Sequence, residues 1–374
     1  MKTRYSPATK PVLVTGGAGF VGCNLADRLA SEGHRVRIFD ALARPGVETN
    51  LEWLCQRHGD RIEPVIADVR DAAALNAAAR GIAAAYHFAA QVAVTTSMTD
   101  PAQDFAINVG GTFNLLEAVR AAGKGIPVIF ASTNKVYGDL AEFGSQLTPH
   151  GYAPLDEQLA RHGVSEAQPL DFHTPYGCSK GAADQYVLDW CRSFGVPSLV
   201  FRMSCIYGER QMGTEDQGWV AHFLIRALEG EPITLYGNGH QVRDVLHVSD
   251  AVEAYLAAWR RIDAVQGRVF NLGGGPANAI TLRQLIEEMG AVIGRKVAWS
   301  TSDWRPGDQR WFVADSRAAD AALALPPRLG WRQGVARLAA WLAEARLLGA
   351  AGALASGQGH VQRPAAAGPM AINQ

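Results

Sequence analysis

The stretch Thr15-Gly16-Gly17-Ala18-Gly19-Phe20-Val21-Gly22 leaves the chain few ways to fold. The apolar run Pro11-Val12-Leu13-Val14 precedes it and predicts a first strand. Cys23–Ser31 follows, with Leu25, Ala26, Leu29 and Ala30 at helical spacing. Strand, glycine turn and helix in this order suit a dinucleotide. Glycine lets the turn tighten and brings backbone N–H groups close to a pyrophosphate, and the helix amino end favours negative charge. The spacing Gly16-x-x-Gly19-x-x-Gly22 differs from the common Gly-x-Gly-x-x-Gly pattern by one residue in its first gap. A glycine-rich turn with no ligand is the alternative that the motif alone leaves open.

Context narrows it. A second apolar run, Val36–Phe39, ends in Asp40, where a carboxylate meets the adenosine ribose hydroxyls of such a ligand. Asp40 would repel a 2′-phosphate, which favours NAD over NADP, and Arg44 tempers that preference.

The chain has 374 residues, enough for a large α/β domain with a second lobe, and 48% of them are hydrophobic, enough for a sizeable core. The balance of 35 basic against 36 acidic residues gives no bulk charge for a nucleic-acid or membrane surface. Five cysteines, Cys23, Cys55, Cys178, Cys191 and Cys205, show no metal-ligand spacing and predict structural thiols in a reducing compartment. Residues 1–10 lack the apolar core of a signal peptide, and no apolar run is long enough to span a bilayer, so the expected location is cytoplasmic.

Strands are predicted at Val12–Thr15, Val36–Asp40, Ile62–Ile66, Ala84–Phe88, Pro127–Ser132 and Ser198–Arg202, with helical patterns such as Ala102–Ala122 and Lys180–Phe194 between them. That rhythm predicts an α/β fold, a doubly wound parallel sheet whose ligands lie beyond the carboxyl ends of the strands. Residues 1–202 are expected to be mainly the dinucleotide-binding domain and 203–345 a smaller C-terminal substrate-binding lobe with segments returning to the sheet. In that lobe helices are predicted at Val220–Glu229, Ser249–Arg261 and Thr281–Ile293. Residues 346–374, rich in Ala, Gly, Gln and Pro, are expected to be a disordered tail.

The strand ends supply candidates. Asp68, followed by Val69, either accepts from the adenine amino group or caps a helix. His87-Phe88-Ala89-Ala90-Gln91 offers small residues around a flat ligand, with His87 read as a core histidine. Ser132-Thr133-Asn134-Lys135 continues the fifth strand with unusual polarity. The long segment Asp139–Thr174 is expected to line a substrate pocket. Tyr176 and Lys180 share a helix face at four-residue spacing, where the ammonium would lower the phenol pKa and make Tyr176 a base.

The glycine spacing, Thr133 ahead of Val136-Tyr137-Gly138, and Tyr176-x-x-x-Lys180 resemble the extended short-chain dehydrogenase/reductase family of nucleotide-sugar epimerases and dehydratases, over roughly residues 11–342. The resemblance implies a Rossmann fold, NAD as cofactor, a nucleotide-sugar substrate and a homo-oligomer, a dimer or tetramer, in which a helix such as Ala102–Ala122 pairs across a two-fold axis. It implies that Tyr176 is the base, that Lys180 holds the nicotinamide ribose, and that Thr133 bonds the reacting hydroxyl, supported by Ser132. Cofactor contacts are implied for Gly16, Gly19, Phe20 and Val21, for Asp40 and Arg44, and for Asp68 and Val69. On the nicotinamide side they are implied for Phe88, Ala89, Gln91, Asn108 and Met203.

Dehydratases of this family carry an acidic pair after the threonine, where this chain has Asn134 and Lys135, so dehydration is disfavoured. The runs Ser132–Leu140, Asp171–Tyr186 and Asp216–Val220 resemble the epimerases that invert C2 of a CDP-linked deoxyhexose. There hydride leaves C2, Tyr176 takes the hydroxyl proton, the 2-keto sugar turns over, and hydride returns to its other face. Arg243 and Arg305 are then expected to grip the diphosphate and Asp308 the nucleotide ribose, with Asn134, Ser204 and Cys205 facing the sugar. Cys205 as a packed thiol, a UDP-hexose 4-epimerase, and a non-catalytic dinucleotide sensor all stay open from sequence. No metal is expected.

Overall fold

The computed structural model describes residues 10–305 and 308–355, with side chains to residue 345. Seven parallel strands form the main sheet: β1 (Val12–Thr15), β2 (Val36–Asp40), β3 (Ile62–Ile66), β4 (Ala84–His87), β5 (Val128–Thr133), β6 (Ser198–Met203) and β7 (Arg268–Leu272). Their order is β7-β6-β5-β4-β1-β2-β3, a doubly wound Rossmann arrangement that reverses direction between β1 and β4. The central strands β1, β4, β5 and β6 are buried on both sides, as parallel strands under helices require, and the edge strand β3 is more open. Helices Phe20–Ser31, Val47–His58 and Val248–Arg260 contribute the core of one face, and Ala72–Ala78, Gly111–Ala122 and Thr174–Phe194 that of the other.

Six strands match their expected positions to within a residue, but β7 was not expected. Arg268 and Asn271 break its apolar run. Asn271 is fully buried in compensation, accepting from the Tyr137 hydroxyl (2.8 Å) and donating to the Val164 carbonyl (2.8 Å). The helical pattern Ala102–Ala122 resolves into Pro101–Phe105, a π-turn at Ala106–Gly110, and Gly111–Ala122. The pattern starting at Lys180 begins earlier, at Thr174, because Pro175 sits in the first turn, where a missing N–H costs no hydrogen bond. Gly195, at φ 67°, closes that helix.

The second lobe has a four-stranded sheet, Cys205–Tyr207, Val242–His247, Ala279–Thr281 and Trp311–Phe312, and a parallel pair, Ile233–Tyr236 with Trp299–Ser302. Helices Trp219–Glu229 and Leu282–Ile293 contribute to its core. Helix Trp331–Ala355 also packs there and runs across residue 346. The rest of the expected tail, and residues 1–9 of the amino terminus, lie outside the described residues. The segment Asp139–Thr174 is not irregular: it holds a hairpin, Ser145–Thr148 with Gly151–Pro154, and helix Glu157–His162.

A buried ion pair joins helix Thr174–Phe194 to β6. Arg202 Nε and Nη2 donate to the Asp184 carboxylate at 2.9 and 3.1 Å, and Nη1 donates to the Tyr137 hydroxyl at 3.1 Å. Both side chains are almost wholly buried, so neither charge can turn to water. Asp184→Ala is expected to lower unfolding free energy by about 3–5 kcal/mol, because it strands the guanidinium. Urea unfolding followed by circular dichroism measures this, and a loss below about 1 kcal/mol, the scale of an exposed pair, would remove the assigned role.

Candidate active site

The glycine turn is fixed by contact with its neighbours rather than by glycine freedom alone. Gly16 has φ 67°, and a Cβ there would stand 2.6 Å from the Ala89 nitrogen. A Cβ on Gly17 would stand 2.8 Å from the Val14 carbonyl oxygen. The turn therefore lies flush against β1 and the end of β4. Asp40 braces it from β2: one carboxylate oxygen accepts from the Ala18 N–H (3.0 Å) and the other from the Leu42 N–H (2.9 Å).

A cavity of about 510 Å³ runs from this turn across the strand ends to the start of helix Thr174–Phe194. Gly16, Gly19, Phe20, Val21, Asp40 and Arg44 line one part of it, and Asp68 and Val69 flank them. Phe88, Ala89, Ser132, Met203, Tyr176 and Lys180 line the remainder. Asp68 does not cap the next helix, since Asp71 does that by accepting from the Ala73 and Ala74 N–H groups. Instead Arg70 holds Asp68 with a bidentate contact (3.0 and 2.8 Å), and that hydrogen bonding keeps its carboxyl below the usual range. His87 is a core histidine: its ring bonds the Thr15 (2.6 Å) and Thr112 (3.0 Å) hydroxyls, and burial, then Lys180, pushes its pKa down to about 3.

Thr133 lies close enough to Tyr176 to influence its phenol, so the expected base and sugar-binding hydroxyl are neighbours. Burial pushes the phenol up to about 12, Thr133 lowers it, and Asp104 raises it. The expected lowering by Lys180 is not among these influences. Lys180 Nζ donates to the Ala131 carbonyl at 2.6 Å and lies 4.2 Å from the centre of the Phe130 ring. Burial pushes that ammonium down to about 7, against the attraction of Asp184 and Asp104. The lysine is thus docked on β5, and the protein alone leaves Tyr176 protonated near neutral pH.

Gln91 and Asn108 do not line the cavity. Asn108 accepts from the Gln91 N–H (2.9 Å) and donates to the Gln91 carbonyl (3.1 Å), Asp104 (3.1 Å) and Ser179 (3.0 Å). The π-turn turns Asn108 inward to make this clamp, and Gln91 itself reaches Ala93 and Asp104. Both stand behind the wall of this cavity, next to Ala90, Val92 and Ile107, which line it. No residue of Asp139–Thr174 borders this cavity. The wall missed from sequence is the loop Arg210–Thr214 with Gln217. Asn24 donates to the Glu209 carbonyl (3.0 Å) and Asn50 to that of Arg210 (3.2 Å), while the Arg210 guanidinium lies 3.7 Å from the centre of the Trp53 ring. No periodicity marks this loop, and only Gly208 and Gly213 hint at it.

The expected substrate residues form a second group outside that cavity. Arg243 donates to Asp308 at 2.6 Å and also to the Gln309 carbonyl. Asn134 donates to Gln309 (3.4 Å), and Gln309 to the Gly138 carbonyl (2.6 Å), knitting the lobe to the turn after β5. Arg305 instead engages Glu215 and stacks 3.9 Å from the centre of the Tyr236 ring. Ser204 donates to the buried Asp244, a structural contact. The Cys205 sulfur accepts from Trp219 Nε1 at 3.4 Å, and burial raises its thiol. Among the described residues no cluster of three or more His, Cys, Asp or Glu side chains could hold a metal.

The cavity suits a dinucleotide. Besides its glycine-bounded end, it is lined by Ser132, Asn50 and Gln211, whose Oγ, Oδ1 and Oε1 atoms are buried without a hydrogen-bond partner. Gly16→Ala is expected to reduce the NAD carried by the purified protein at least about tenfold, because a left-handed φ and a backbone clash forbid the side chain. NAD released on denaturation, assayed beside circular dichroism, checks this, and full NAD content in a folded variant would refute it.

The model of the NAD dependent epimerase/dehydratase family matches residues 12–273. The chain is 42% identical over 340 residues to CDP-paratose 2-epimerase of Salmonella typhi, covering 88% of this chain and 98% of that one. Among solved structures, UDP-glucose 4-epimerase of Thermotoga maritima with UDP-glucose superposes with a TM-score of 0.76 at 27% identity, covering 90% of this chain and 99% of that one. The Thermus thermophilus UDP-glucose 4-epimerase complex with NAD gives 0.74 at 29% identity, covering 88% and 98%. The chain therefore belongs to the NAD dependent epimerase/dehydratase family.

Proposed function

We propose that this protein is a nucleotide-sugar 2-epimerase acting on a CDP-linked deoxyhexose, with Tyr176 as base, Thr133 as its partner on the sugar hydroxyl, and Lys180 as a cofactor contact. The observation that carries the reading is the placing of Tyr176 beside Thr133 at the edge of the cavity, with an amide and an ammonium following at Asn134 and Lys135 in place of an acidic pair. Similarity to CDP-paratose 2-epimerase over nearly its whole length supports the choice of carbon and nucleotide.

Held against the glycine turn and Lys180, NAD would supply a reversible hydride acceptor and a positive charge. Thr133 orients the hydroxyl, and Tyr176 removes its proton and later returns it. A raised phenol pKa keeps Tyr176 protonated near neutral pH, so a nearby cation is needed to favour the phenolate once the site is assembled. The turn Asn134–Tyr137 holds an amide and no carboxylate that could expel water from the sugar, which leaves redox inversion as the supported chemistry. Arg243 and Asp308 suit the diphosphate and ribose, and Arg305 with Tyr236 suits the nucleotide end. The five free cysteines agree with a cytoplasmic enzyme. No helix among the described residues is long and apolar enough to cross a membrane.

The protein forms a homodimer through helices Pro101–Ala122 and Thr174–Phe194 in this reading. Phe105, Phe113, Tyr186 and Phe194 leave these helices 61%, 43%, 42% and 51% exposed, a concentration of aromatic surface that a monomer rarely carries. Phe113→Glu is expected to convert a dimer to a monomer in light scattering, and a monomeric parent protein would contradict the interface.

Tyr176→Phe is expected to retain NAD and to lower turnover about 10²- to 10⁴-fold, the range for removing a general base. Product stereochemistry read by NMR after incubation with CDP- and UDP-sugars tests the carbon: inversion at C2 of a CDP-sugar supports the reading, and exchange at C4 of a UDP-hexose alone replaces it with a 4-epimerase.

A further inference from the structure

The loop Arg210–Thr214 walls the dinucleotide cavity, and the proposed chemistry does not account for what holds it there. On one side it hangs from the helices that follow β1 and β2. Asn50, fully buried, donates to the Ala18 carbonyl of the glycine turn (3.1 Å) and to the Arg210 carbonyl (3.2 Å), so a single amide ties turn to loop. Asn24 donates to the Glu209 carbonyl (3.0 Å), and the Met212 side chain rests on Gly46, at the start of helix Val47–His58.

On the other side stands helix Trp331–Ala355 of the second lobe. It lies flush on the strand that feeds the loop: the Tyr207 hydroxyl donates to the Trp331 carbonyl (3.1 Å), and a Cβ on Gly334 would overlap that hydroxyl. About one turn further along the helix, Arg337 Nη2 meets Glu209 Oε1 at 3.1 Å, while His247 Nε2 lies 3.2 Å from Oε2. Burial by itself would raise the Glu209 carboxyl, but His247, the local backbone and Arg337 outweigh it and hold it down at about 2. The Arg210 guanidinium lies 5.7 Å from the centre of the Trp341 ring and 3.7 Å from that of Trp53. Arg337 and Trp341 stand four residues apart and so share one helix face, which they turn on the two residues where the loop begins. Arg210 has φ 70°, a left-handed conformation that persists in a residue with a Cβ only where its surroundings impose it. The loop can leave the cavity only by breaking these contacts, and with it goes one wall around the ligand.

We infer that Arg337 and Trp341 are positioning residues for the cofactor: they clamp Glu209 and Arg210 from the second lobe and so set how slowly NAD leaves its cavity. This role needs only the bound dinucleotide and is independent of which sugar carbon reacts.

The test measures NAD release. NAD-loaded wild type and variants are diluted, and the NAD remaining on the protein is assayed over time after rapid gel filtration, with circular dichroism to verify folding. Arg337→Ala and Trp341→Ala are each expected to release NAD about 3- to 10-fold faster, the worth of a partly exposed ion pair or a cation–π contact. Hydrogen exchange is expected to rise in residues 209–214 of both. Arg337→Lys and Trp341→Phe, which keep the charge and the ring, are expected to recover most of the retention. Arg332→Ala is the control, because that arginine pairs instead with Glu288 of helix Leu282–Ile293 (3.0 Å), and it is expected to release NAD at the wild-type rate. Faster release confined to the Arg337 and Trp341 alanine variants, and reversed by their conservative counterparts, supports the clamp. Wild-type release from both alanine variants, or equal acceleration by Arg332→Ala, overturns it.

Discussion

The Lys180 ammonium, 2.6 Å from the Ala131 carbonyl, is the joint on which the site turns. A cation inside the protein is tolerated only with partners, and here they are a backbone oxygen of β5, the Phe130 ring face and the more distant Asp184 and Asp104 carboxylates. That contact sets helix Thr174–Phe194 in register against the sheet, and the register carries Tyr176 to Thr133. The Arg202–Asp184 pair makes a second attachment lower on the same helix. Two buried ionic contacts thus fix a single helix at two heights, so the phenol approaches the strand end without needing a loop to hold it.

Around that joint the two halves of the site are built differently. The dinucleotide side is shaped by absence of side chains: Gly16 and Gly17 let one backbone lie on another, and Asp40 ties the turn from β2. The substrate side is shaped by paired charges, with Arg243 and Asp308, Arg305 and Glu215, and the amide bridge of Asn134, Gln309 and Gly138. A ligand entering the first half displaces little, whereas one entering the second must exchange protein ion pairs for its own phosphates. Under the proposed assignment, cofactor retention and substrate binding would therefore be governed by different physics.

The parts legible in the sequence were those carried by local spacing. The glycine turn, Asp40 at the end of β2, and Tyr176-x-x-x-Lys180 each occupy one element, and their periodicity and neighbours reveal their placement. Gln91 and Asn108 misled because a π-turn, invisible in an apolar pattern, rotates Asn108 into a closed hydrogen-bond network. The loop Arg210–Thr214 has no period, and only the folded chain brings it over the helices that follow β1 and β2. Strand β7 escaped because its buried Asn271 is satisfied by residues more than a hundred positions away. The expected tuning of Tyr176 by Lys180 also needed the fold, since spacing cannot say which way an ammonium points.

The late strand β7 has an architectural consequence. The chain leaves the main sheet after β6, builds strands and a helix of the second lobe, and then comes back through helix Val248–Arg260 to seal the sheet margin. The lobes are thus interleaved rather than strung in sequence. A polypeptide severed after residue 202 would bare β6 as a sticky border, and the remaining piece would carry an orphan strand with nothing to lie against. Duplication, fusion or loss of one lobe as a cassette is closed to such a molecule, so its pocket can change only by substitution and by growth of its loops.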